Sequence, residues 1–525
     1  MKARAILTGI SAVVLAGFIL YSAAPVWAVD EVDRIREKCD EFFSALTKRR
    51  YDLHVKHKEP QIARTHNDYS YLFKQRKADL LLERAQSTSD PDEARAMRLL
   101  NVALRHAAVR SYAAEDMDQM YEFIMTAKVN MDGSTIPFGQ VPRVLALEED
   151  RDVRRQIFIS YNTPLEPLGV FKSGILSKME ERLGEWGFDS YLNMLSEVRE
   201  VDLPSLETQA RAFLDSTDAL YTTEVGRLLQ DQLGMGLRRA RGYDIPFILK
   251  GTWVDGGIDA QRAEEIVDRT LDEMDLKAEK SKLELKPMEF CGQRDRPEVF
   301  PLRIPDEIKM CYSEAGGVCD YAAHLYMRGK AEYFASIRRP EWFELRRLGD
   351  ESLAEAAGFL FRGLMSNERW LVEKAGLDPG LAEAVARHQA FVCLFRGREA
   401  CVNTIFQIAV YSNGADPGQT YSDLLDEYMK WDPVLDRNRG TLALDDLESA
   451  DTVLGFFLAS QIRSVLEDRF GESWYASAEA GAFLKELWSP GQSLNAASMA
   501  KTLGHNEVDS SFMVADLSKI MSSGD

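Results

Sequence analysis

The chain has 525 residues, 45% of them hydrophobic and 10% aromatic, and a formal net charge of -20 from 84 acidic and 64 basic residues. This composition is typical of a globular protein with a sizeable core. It excludes nucleic acid as the main partner, because binding to phosphates requires clustered Lys and Arg.

The first 28 residues have the pattern of an export signal. Lys2 and Arg4 precede an uncharged stretch from Ala5 to Ala28, and Val26 and Ala28 are small residues at the -3 and -1 positions of a signal-peptidase site. The stretch is also long enough to span a bilayer as an uncleaved anchor. We therefore expect an exported protein, periplasmic or secreted, that contacts a membrane only through this segment if it is uncleaved.

Residues 29–525 have mainly helical patterns and form one predicted domain. A hairpin turn at Asp132-Gly133 separates two short strand patterns. Apolar residues then recur at helical spacing from Ser205 to Leu229, with Pro204 in the first turn. A second strand candidate lies between Val299 and Tyr312, and a helical pattern returns from Leu454 to Leu466. These patterns predict a mainly α fold with one small β-sheet.

Six cysteines in an exported protein make disulfides a reasonable expectation. Cys311 and Cys319 flank a Gly-Gly turn and are a candidate disulfide. Cys393 and Cys401 would lie ~12 Å apart on a continuous helix, which is too far for a bridge. They pair only if the helix is broken between them, and buried free thiols are the alternative.

Five segments follow one another in a characteristic order: VNMDGSTIPFGQVPRVLALEEDRDVRRQIF from Val129, FDSYLNMLSEVREVDLPSLETQARAFLDSTD from Phe188, FPLRIPDEIKMCYSEAGGVCDY from Phe300, FELRRLGDESLAEAAGFLF from Phe343 and FGESWYASAEAGAFLKELWSPGQ from Phe470. In their order and spacing they resemble the thimet oligopeptidase and oligoendopeptidase F superfamily of zinc metallopeptidases. The resemblance covers nearly all of residues 29–525. It implies a helical ellipsoid of two halves around a deep central channel.

Members of this superfamily carry H-E-x-x-H on one helix and a third zinc ligand, Glu, on the next. No H-E-x-x-H is present here. Aligning Asp320-Tyr321 with the family pattern places Tyr326 and Lys330 at the two His positions and Met327 at the catalytic Glu position. Glu355 matches the third ligand. The resemblance therefore predicts a degenerate member with no catalytic residues, no bound metal and no other cofactor.

The replacements themselves suggest a contact. Tyr326 and Lys330 are four residues apart and share one helical face, so a Lys330 ammonium is predicted to pair with Glu355 and supply the positive charge of the missing metal. Two alternatives are open. Lys330 is a solvated helix lysine, or Glu355 belongs to a capping box that Ser352 begins.

Other polar residues near these positions are weaker candidates. The E-A-G segment from Ser313 to Gly317 is predicted to be a glycine loop. His324 is expected to be a partly buried histidine on another helical face. Asp350 and Glu351 are candidates for an oxygen-rich metal site with Glu355, although acidic helix starts are common for reasons of the helix dipole.

The sequence therefore supports three functions. The first is an exported, non-catalytic homologue of a zinc oligopeptidase that binds a peptide or protein segment in its channel. The second is an active metallo-oligopeptidase with a rearranged zinc site around Glu355, the one interpretation that includes zinc. The third is a structural scaffold of the cell envelope.

Overall fold

The computed structural model describes residues 26–131, 133–288, 297–338 and 340–522. The predicted export segment, residues 1–28, lies almost wholly before these ranges and therefore outside the described structure. Among the described helices, none has the length and apolar character needed to cross a bilayer.

The first half of the chain is helical except for one hairpin. Its elements are α1 (Val26–Lys56), α2 (Ile62–Asp68), α3 (Gln75–Ser87), α4 (Pro91–Ser111), α5 (Ala114–Thr126), β1 (Lys128–Met131), β2 (Ser134–Pro137), α6 (Val141–Leu147), α7 (Arg151–Glu180), α8 (Tyr191–Arg199), α9 (Leu203–Ser216), α10 (Asp218–Leu233), α11 (Ile245–Lys250) and α12 (Ala263–Glu273).

The second half begins with three strands and is otherwise helical. Its elements are β3 (Leu283–Met288), β4 (Glu298–Arg303), β5 (Glu307–Ser313), α13 (Val318–Ser336), α14 (Glu344–Arg347), α15 (Ser352–Arg362), α16 (Glu368–Trp370), α17 (Pro379–Asn413), α18 (Pro417–Leu424), α19 (Gly440–Ala443), α20 (Glu448–Phe470), α21 (Ala478–Trp488), α22 (Ala496–Thr502) and α23 (Ser511–Ser522). The predicted mainly α fold is confirmed.

Local sequence accounts for where several helices begin. Asp90, Asp150 and Asp378 each precede a helix and accept hydrogen bonds from backbone N–H groups of its first turn. Pro91 and Pro379 then occupy the first helical position, where no backbone donor is needed.

The helix predicted from Ser205 to Leu229 is interrupted, and this prediction is corrected. α9 ends at Ser216 and α10 begins at Asp218. The buried guanidinium of Arg398 on α17 donates to the Leu214 carbonyl at 2.6 Å and to the Thr217 hydroxyl at 2.7 Å. A distant side chain therefore satisfies the carbonyl that the break leaves free, which the periodicity of the segment does not reveal.

The strands of the described residues form two sheets, so the prediction of a single sheet is wrong. β1 and β2 pair as the expected antiparallel hairpin. The other sheet has the order β3-β5-β4, with β3 parallel and β4 antiparallel to β5. The sheets remain separate because Val129 packs into a cluster with α7, whereas Ile308 and Met310 pack against α13. The sequence analysis did not identify β3.

The predicted Cys311–Cys319 disulfide is also wrong. Cys311 is disulfide-bonded, but Cys319 is a free thiol. Cys311 on β5 is buried with Tyr51 of α1, whereas the Cys319 sulfur lies 3.9 Å from the Lys250 carbonyl. The two side chains thus face different neighbours. α17 is continuous through Cys393 and Cys401, and both are free, as their spacing on one helix predicts.

Glycines bring α13, α15 and α20 into close contact. A Cβ atom at Gly329 of α13 would overlap the carbonyl oxygen of Ala357 on α15. A Cβ at Gly358 would lie 2.7 Å from the Tyr326 ring, and one at Gly455 of α20 would lie 2.5 Å from the Glu355 Cβ. The close approach of these backbones places the side chains of α13 directly against α15.

Candidate functional site

The residues at the positions of the missing zinc motif meet where α13 packs on α15. The Tyr326 hydroxyl donates to Glu355 Oε2 at 2.6 Å, and Lys330 Nζ donates to Glu355 Oε1 at 2.6 Å. Each oxygen of the Glu355 carboxylate therefore has its own donor from α13. We call Tyr326, Lys330 and Glu355 the triad.

The triad is mostly enclosed by protein. The side chains of Lys330 and Glu355 are each 14% exposed, so Lys330 is not a solvated helix lysine. The Glu355 side chain points to α13. Ser352 is the first residue of α15, so it is not the capping residue, and Glu351 before it makes no capping hydrogen bond with its side chain. The capping-box alternative for Glu355 is therefore wrong.

Charge and burial fix the protonation of the triad. Burial opposes the charge on Lys330, but the Glu355 carboxylate outweighs it and raises the pKa of Lys330 above its ordinary value. Burial, followed by the negative charge of Glu355, raises the pKa of Tyr326. Lys330 is consequently an ammonium at neutral pH, and Tyr326 is a neutral hydroxyl donor.

A charged group that water reaches is coupled electrostatically to the triad. Arg50 of α1 has a 54% exposed side chain, and its guanidinium lies 3.2 Å from the Glu298 carboxylate of β4. His54 Nδ1 lies 3.0 Å from the same Glu298 oxygen. Burial opposes ionisation of Glu298, but Arg50, His54 and Lys330 lower the pKa of Glu298 to about 2. The influence of Lys330 on Glu298 connects this group to the triad.

The charges of carboxylates on other elements also act on Arg50. The negative charges of Glu298, Glu448 and Glu351 raise the pKa of Arg50 despite its partial desolvation. Glu448 is the first residue of α20, and Glu351 directly precedes α15. The charges of Arg50, Glu298, Glu351, Glu448 and Lys330 thus influence one another, and water reaches this group at Arg50. We call these five residues the charged cleft.

A second polar network holds Asp446, just before α20. Asp446 accepts a hydrogen bond from the Tyr191 hydroxyl at 2.6 Å and forms an ion pair with Arg110. Burial opposes ionisation of Asp446, but the Arg110 charge outweighs it and lowers the pKa of Asp446. The neighbouring His106 is desolvated, which lowers its pKa to about 3. This network ties α4 and α8 to the start of α20.

The Lys330–Glu355 pair was predicted from the sequence, with Tyr326 on the same helical face, whereas the Tyr326–Glu355 contact, the charged cleft and the Asp446 network were not. Arg50, Glu298 and Glu448 are far apart in sequence and belong to no local motif. The only signal available was the unusual placement of polar residues on otherwise apolar elements. Such placement is too common on solvated faces to identify a site.

Two solved structures are similar to this one over almost their whole length. Metallocarboxypeptidase 1 of Trypanosoma cruzi is 12% identical, with a TM-score of 0.62 over 95% of this chain and 100% of that chain. A carboxypeptidase of Pyrococcus furiosus is 11% identical, with a TM-score of 0.60 over 94% of this chain and 98% of that chain. The chain therefore has a metallopeptidase-like fold, shared with these two carboxypeptidases. No family model and no curated protein sequence matches it.

A metallopeptidase-like fold is a less specific finding than membership of the oligopeptidase superfamily, which the sequence resembles. Both neighbours are carboxypeptidases rather than oligopeptidases, and identities this low establish the fold alone. The metallopeptidase-like part of the expectation is therefore supported, whereas kinship with the oligopeptidase superfamily remains a proposal.

The triad does not fit the zinc site that the resemblance to zinc metallopeptidases implies. Zinc is bound by lone pairs of His, Cys, Asp or Glu, and a protonated Lys330 has no lone pair to offer. Its ammonium instead occupies one oxygen of Glu355, and Tyr326 occupies the other. Across the described ranges, no group of three or more His, Cys, Asp or Glu residues is arranged to hold a metal ion.

The other metal candidates are directed elsewhere. Asp350 is 2% exposed and accepts hydrogen bonds from the backbone N–H of Ser352 at 2.8 Å and of Ala496 at 2.6 Å. It therefore anchors the start of α15 to α22. Residues 314–317 form the predicted loop before α13. His324 is 3% exposed and packs edge-on against Tyr312, with ring centroids 4.7 Å apart.

Buried His324 predicts a specific loss of stability at acidic pH. Burial, followed by the positive charge of Arg328, lowers the pKa of His324 to about 4. The unfolded chain therefore binds one more proton than the folded chain as the pH falls from about 6.5 towards 4. Between pH 7 and pH 5, His324→Gln is expected to lose about 2 kcal/mol less stability than the unaltered protein. Urea denaturation at the two pH values measures this difference.

The exposed His57 provides the matched control for His324. His57→Gln removes a histidine from the surface, and its pH profile is measured beside that of His324→Gln. Parallel pH profiles for His324→Gln and the unaltered protein would contradict the prediction.

Proposed function

We propose that this protein is a non-catalytic homologue of a zinc oligopeptidase that binds peptide or protein segments. The observation that carries the proposal is the triad, in which Tyr326 and Lys330 each hold one oxygen of Glu355 at 2.6 Å. The Lys330 ammonium replaces the positive charge of a metal, and no carboxylate stands at the Met327 position to activate water. Under this proposal the protein keeps the metallopeptidase-like fold but lacks the residues for metal-dependent peptide hydrolysis.

The charged cleft is the proposed binding site, lying in a channel between two halves of residues 29–525. β4 supports this location, because it is an edge strand of the order β3-β5-β4 and carries Glu298 of the cleft at its start. Arg347 donates to the Pro301 and Leu302 carbonyls, so the part of the edge before Pro301 is the part proposed to pair with a peptide. An extended peptide that pairs with such an edge gains main-chain hydrogen bonds regardless of its sequence. It would run past Arg50 and Lys330.

The charges of the cleft and triad indicate which peptides would bind. Two cationic side chains, Arg50 and Lys330, are influenced by the charges of four carboxylates: Glu298, Glu351, Glu355 and Glu448. The surplus of negative charge favours peptides that carry Lys or Arg. The compartment of this activity is periplasmic or secreted under the proposal, which rests on the pattern of residues 1–28.

One experiment with two readouts tests the proposal. The purified full chain is dialysed against zinc, its metal content is measured by elemental mass spectrometry, and the same sample is titrated with a fluorescent lysine-rich decapeptide. We expect no stoichiometric zinc and saturable peptide binding that resists a chelator. Glu351→Gln is expected to weaken peptide binding about fivefold, because one exposed attractive charge contributes about 1 kcal/mol. The exposed Glu368→Gln on α16 is the matched control.

The two readouts contradict different parts of the proposal. Near-stoichiometric zinc that is lost in Glu355→Ala would replace it by the active metallo-oligopeptidase with a rearranged site. A folded, zinc-free protein that binds neither lysine-rich nor glutamate-rich decapeptides would contradict peptide binding and favour the envelope scaffold.

A further inference from the structure

An arginine-rich cavity lies apart from the triad and the charged cleft. It is open to solvent, has a volume of about 390 Å³, and is formed by the start of α7, residues 238–243 and residues 434–435. Its polar lining consists of Arg151, Arg155, Arg238, Arg239, Arg241 and Tyr243. No acidic side chain is part of the lining, although the whole chain carries a net charge of -20.

Two of the five arginines are neutralised by carboxylates behind them. Arg151 forms two 3.0 Å hydrogen bonds with the buried Asp244, which also lies 3.3 Å from the buried guanidinium of Arg154. Arg241 lies 2.9 Å from Asp432. Asp244 is thus shared by two guanidinium groups, and Asp432 is paired with Arg241. Neither carboxylate neutralises the remaining arginines of the cavity.

The other three arginines lack protein partners. Within the described part of the chain, the side chains of Arg155, Arg238 and Arg239 form no hydrogen bond, ion pair or ring contact, and all three are exposed. Arg238 and Arg239 are adjacent in one short turn, and Arg155 approaches from the first turns of α7. Like charges gathered in this way repel one another unless an anion lies between them.

The cavity walls are held in place before any ligand binds. The Arg151 guanidinium lies 5.0 Å from the centre of the Tyr243 ring, and Tyr243 is buried. Arg154 is fully buried and fixes the start of α7 through the Glu148 and Glu149 carbonyls. Val434, which is 69% exposed, gives the cavity an apolar rim.

The geometry points to a binding site for a small phosphorylated anion in this cavity. Guanidinium groups bind phosphate oxygens through paired hydrogen bonds. Three guanidinium groups without protein partners, on two separate elements, suit a ligand that presents phosphoryl oxygens in more than one direction. The volume is that of a small-molecule site. A soluble diphosphate and the headgroup of an anionic lipid at the membrane surface share this phosphoryl chemistry, and Val434 suits the apolar part of either ligand.

Binding of two probes tests the site. The full chain is titrated calorimetrically with inorganic pyrophosphate, and is sedimented with phosphatidylcholine vesicles that contain or lack phosphatidylglycerol. The Arg238→Gln/Arg239→Gln variant is expected to bind the probe at least about tenfold more weakly, because it loses two charge-assisted contacts. The matched control Arg64→Gln/Arg76→Gln removes two exposed arginines from α2 and α3 and is expected to bind normally.

Each outcome decides the inference. Arginine-dependent binding of pyrophosphate alone supports a soluble phosphorylated ligand. Arginine-dependent binding to phosphatidylglycerol vesicles that pyrophosphate displaces supports a lipid headgroup. Absence of binding to both probes, or an equal loss in both arginine variants, overturns the inference. None of these outcomes depends on the metal content or the peptide binding of the charged cleft.

Discussion

Replacing Glu355 by Gln is expected to lower the free energy of unfolding by about 3 kcal/mol, the cost of removing one partner from a mostly buried ion pair. The substitution leaves the Lys330 ammonium 14% exposed and without its hydrogen-bonded counter-charge. The Gln amide also keeps only one acceptor oxygen for the two donors, Tyr326 and Lys330. Urea denaturation at pH 7 measures the change.

A double-mutant cycle separates this ion pair from simple loss of packing. Lys330→Met is expected to cost a similar amount, since it leaves the Glu355 carboxylate with the Tyr326 hydroxyl as its remaining donor in the triad. The double variant Lys330→Met/Glu355→Gln is then expected to cost much less than the sum of the single changes. Additive costs would contradict a coupled pair at this site.

Gly329→Ala is expected to lower the free energy of unfolding by about 3 kcal/mol, at the upper end of the usual cost of overpacking. The added methyl group would overlap the Ala357 carbonyl oxygen of α15, and a backbone atom cannot rotate away as a side chain does. α13 must therefore move away from α15, which also separates Lys330 from Glu355. Thermal and urea denaturation measure the loss.

Gly226 provides the matched control within another helix. A Cβ at Gly226 of α10 meets no atom within 4 Å, so Gly226→Ala is expected to raise stability by about 0.5–1 kcal/mol through the higher helix propensity of Ala. A Gly329→Ala variant as stable as the unaltered protein would show that α13 and α15 are not in close contact.

Much of the fold follows from patterns that act over a few residues. Apolar spacing predicts the helices, and Asp132-Gly133 predicts the β1–β2 hairpin, because these depend on local geometry. The break at Thr217 and strand β3 were not predicted. The first depends on Arg398 from α17, and the second on parallel pairing of Leu283–Met288 with a strand more than twenty residues later.

The candidate site also contains some contacts that the sequence predicted and others that it did not. The spacing of Tyr326 and Lys330 puts both on one helical face, and the resemblance to zinc peptidases names Glu355 as their neighbour. The structure brings the three together through Gly329 and Gly358, where the helices approach closely. The charged cleft and the arginine-rich cavity have no such local signature, because their residues come from several separate elements.

The sequence by itself determined the mainly helical class of this protein and the absence of an H-E-x-x-H motif, since both are written in local spacing. Only the tertiary structure decided that Cys319 is a free thiol, that there are two sheets, and that Glu355 faces Lys330 instead of capping α15. The physical reason is that a side chain's partner depends on which elements pack together. That packing is settled by burial and close approach over the whole chain.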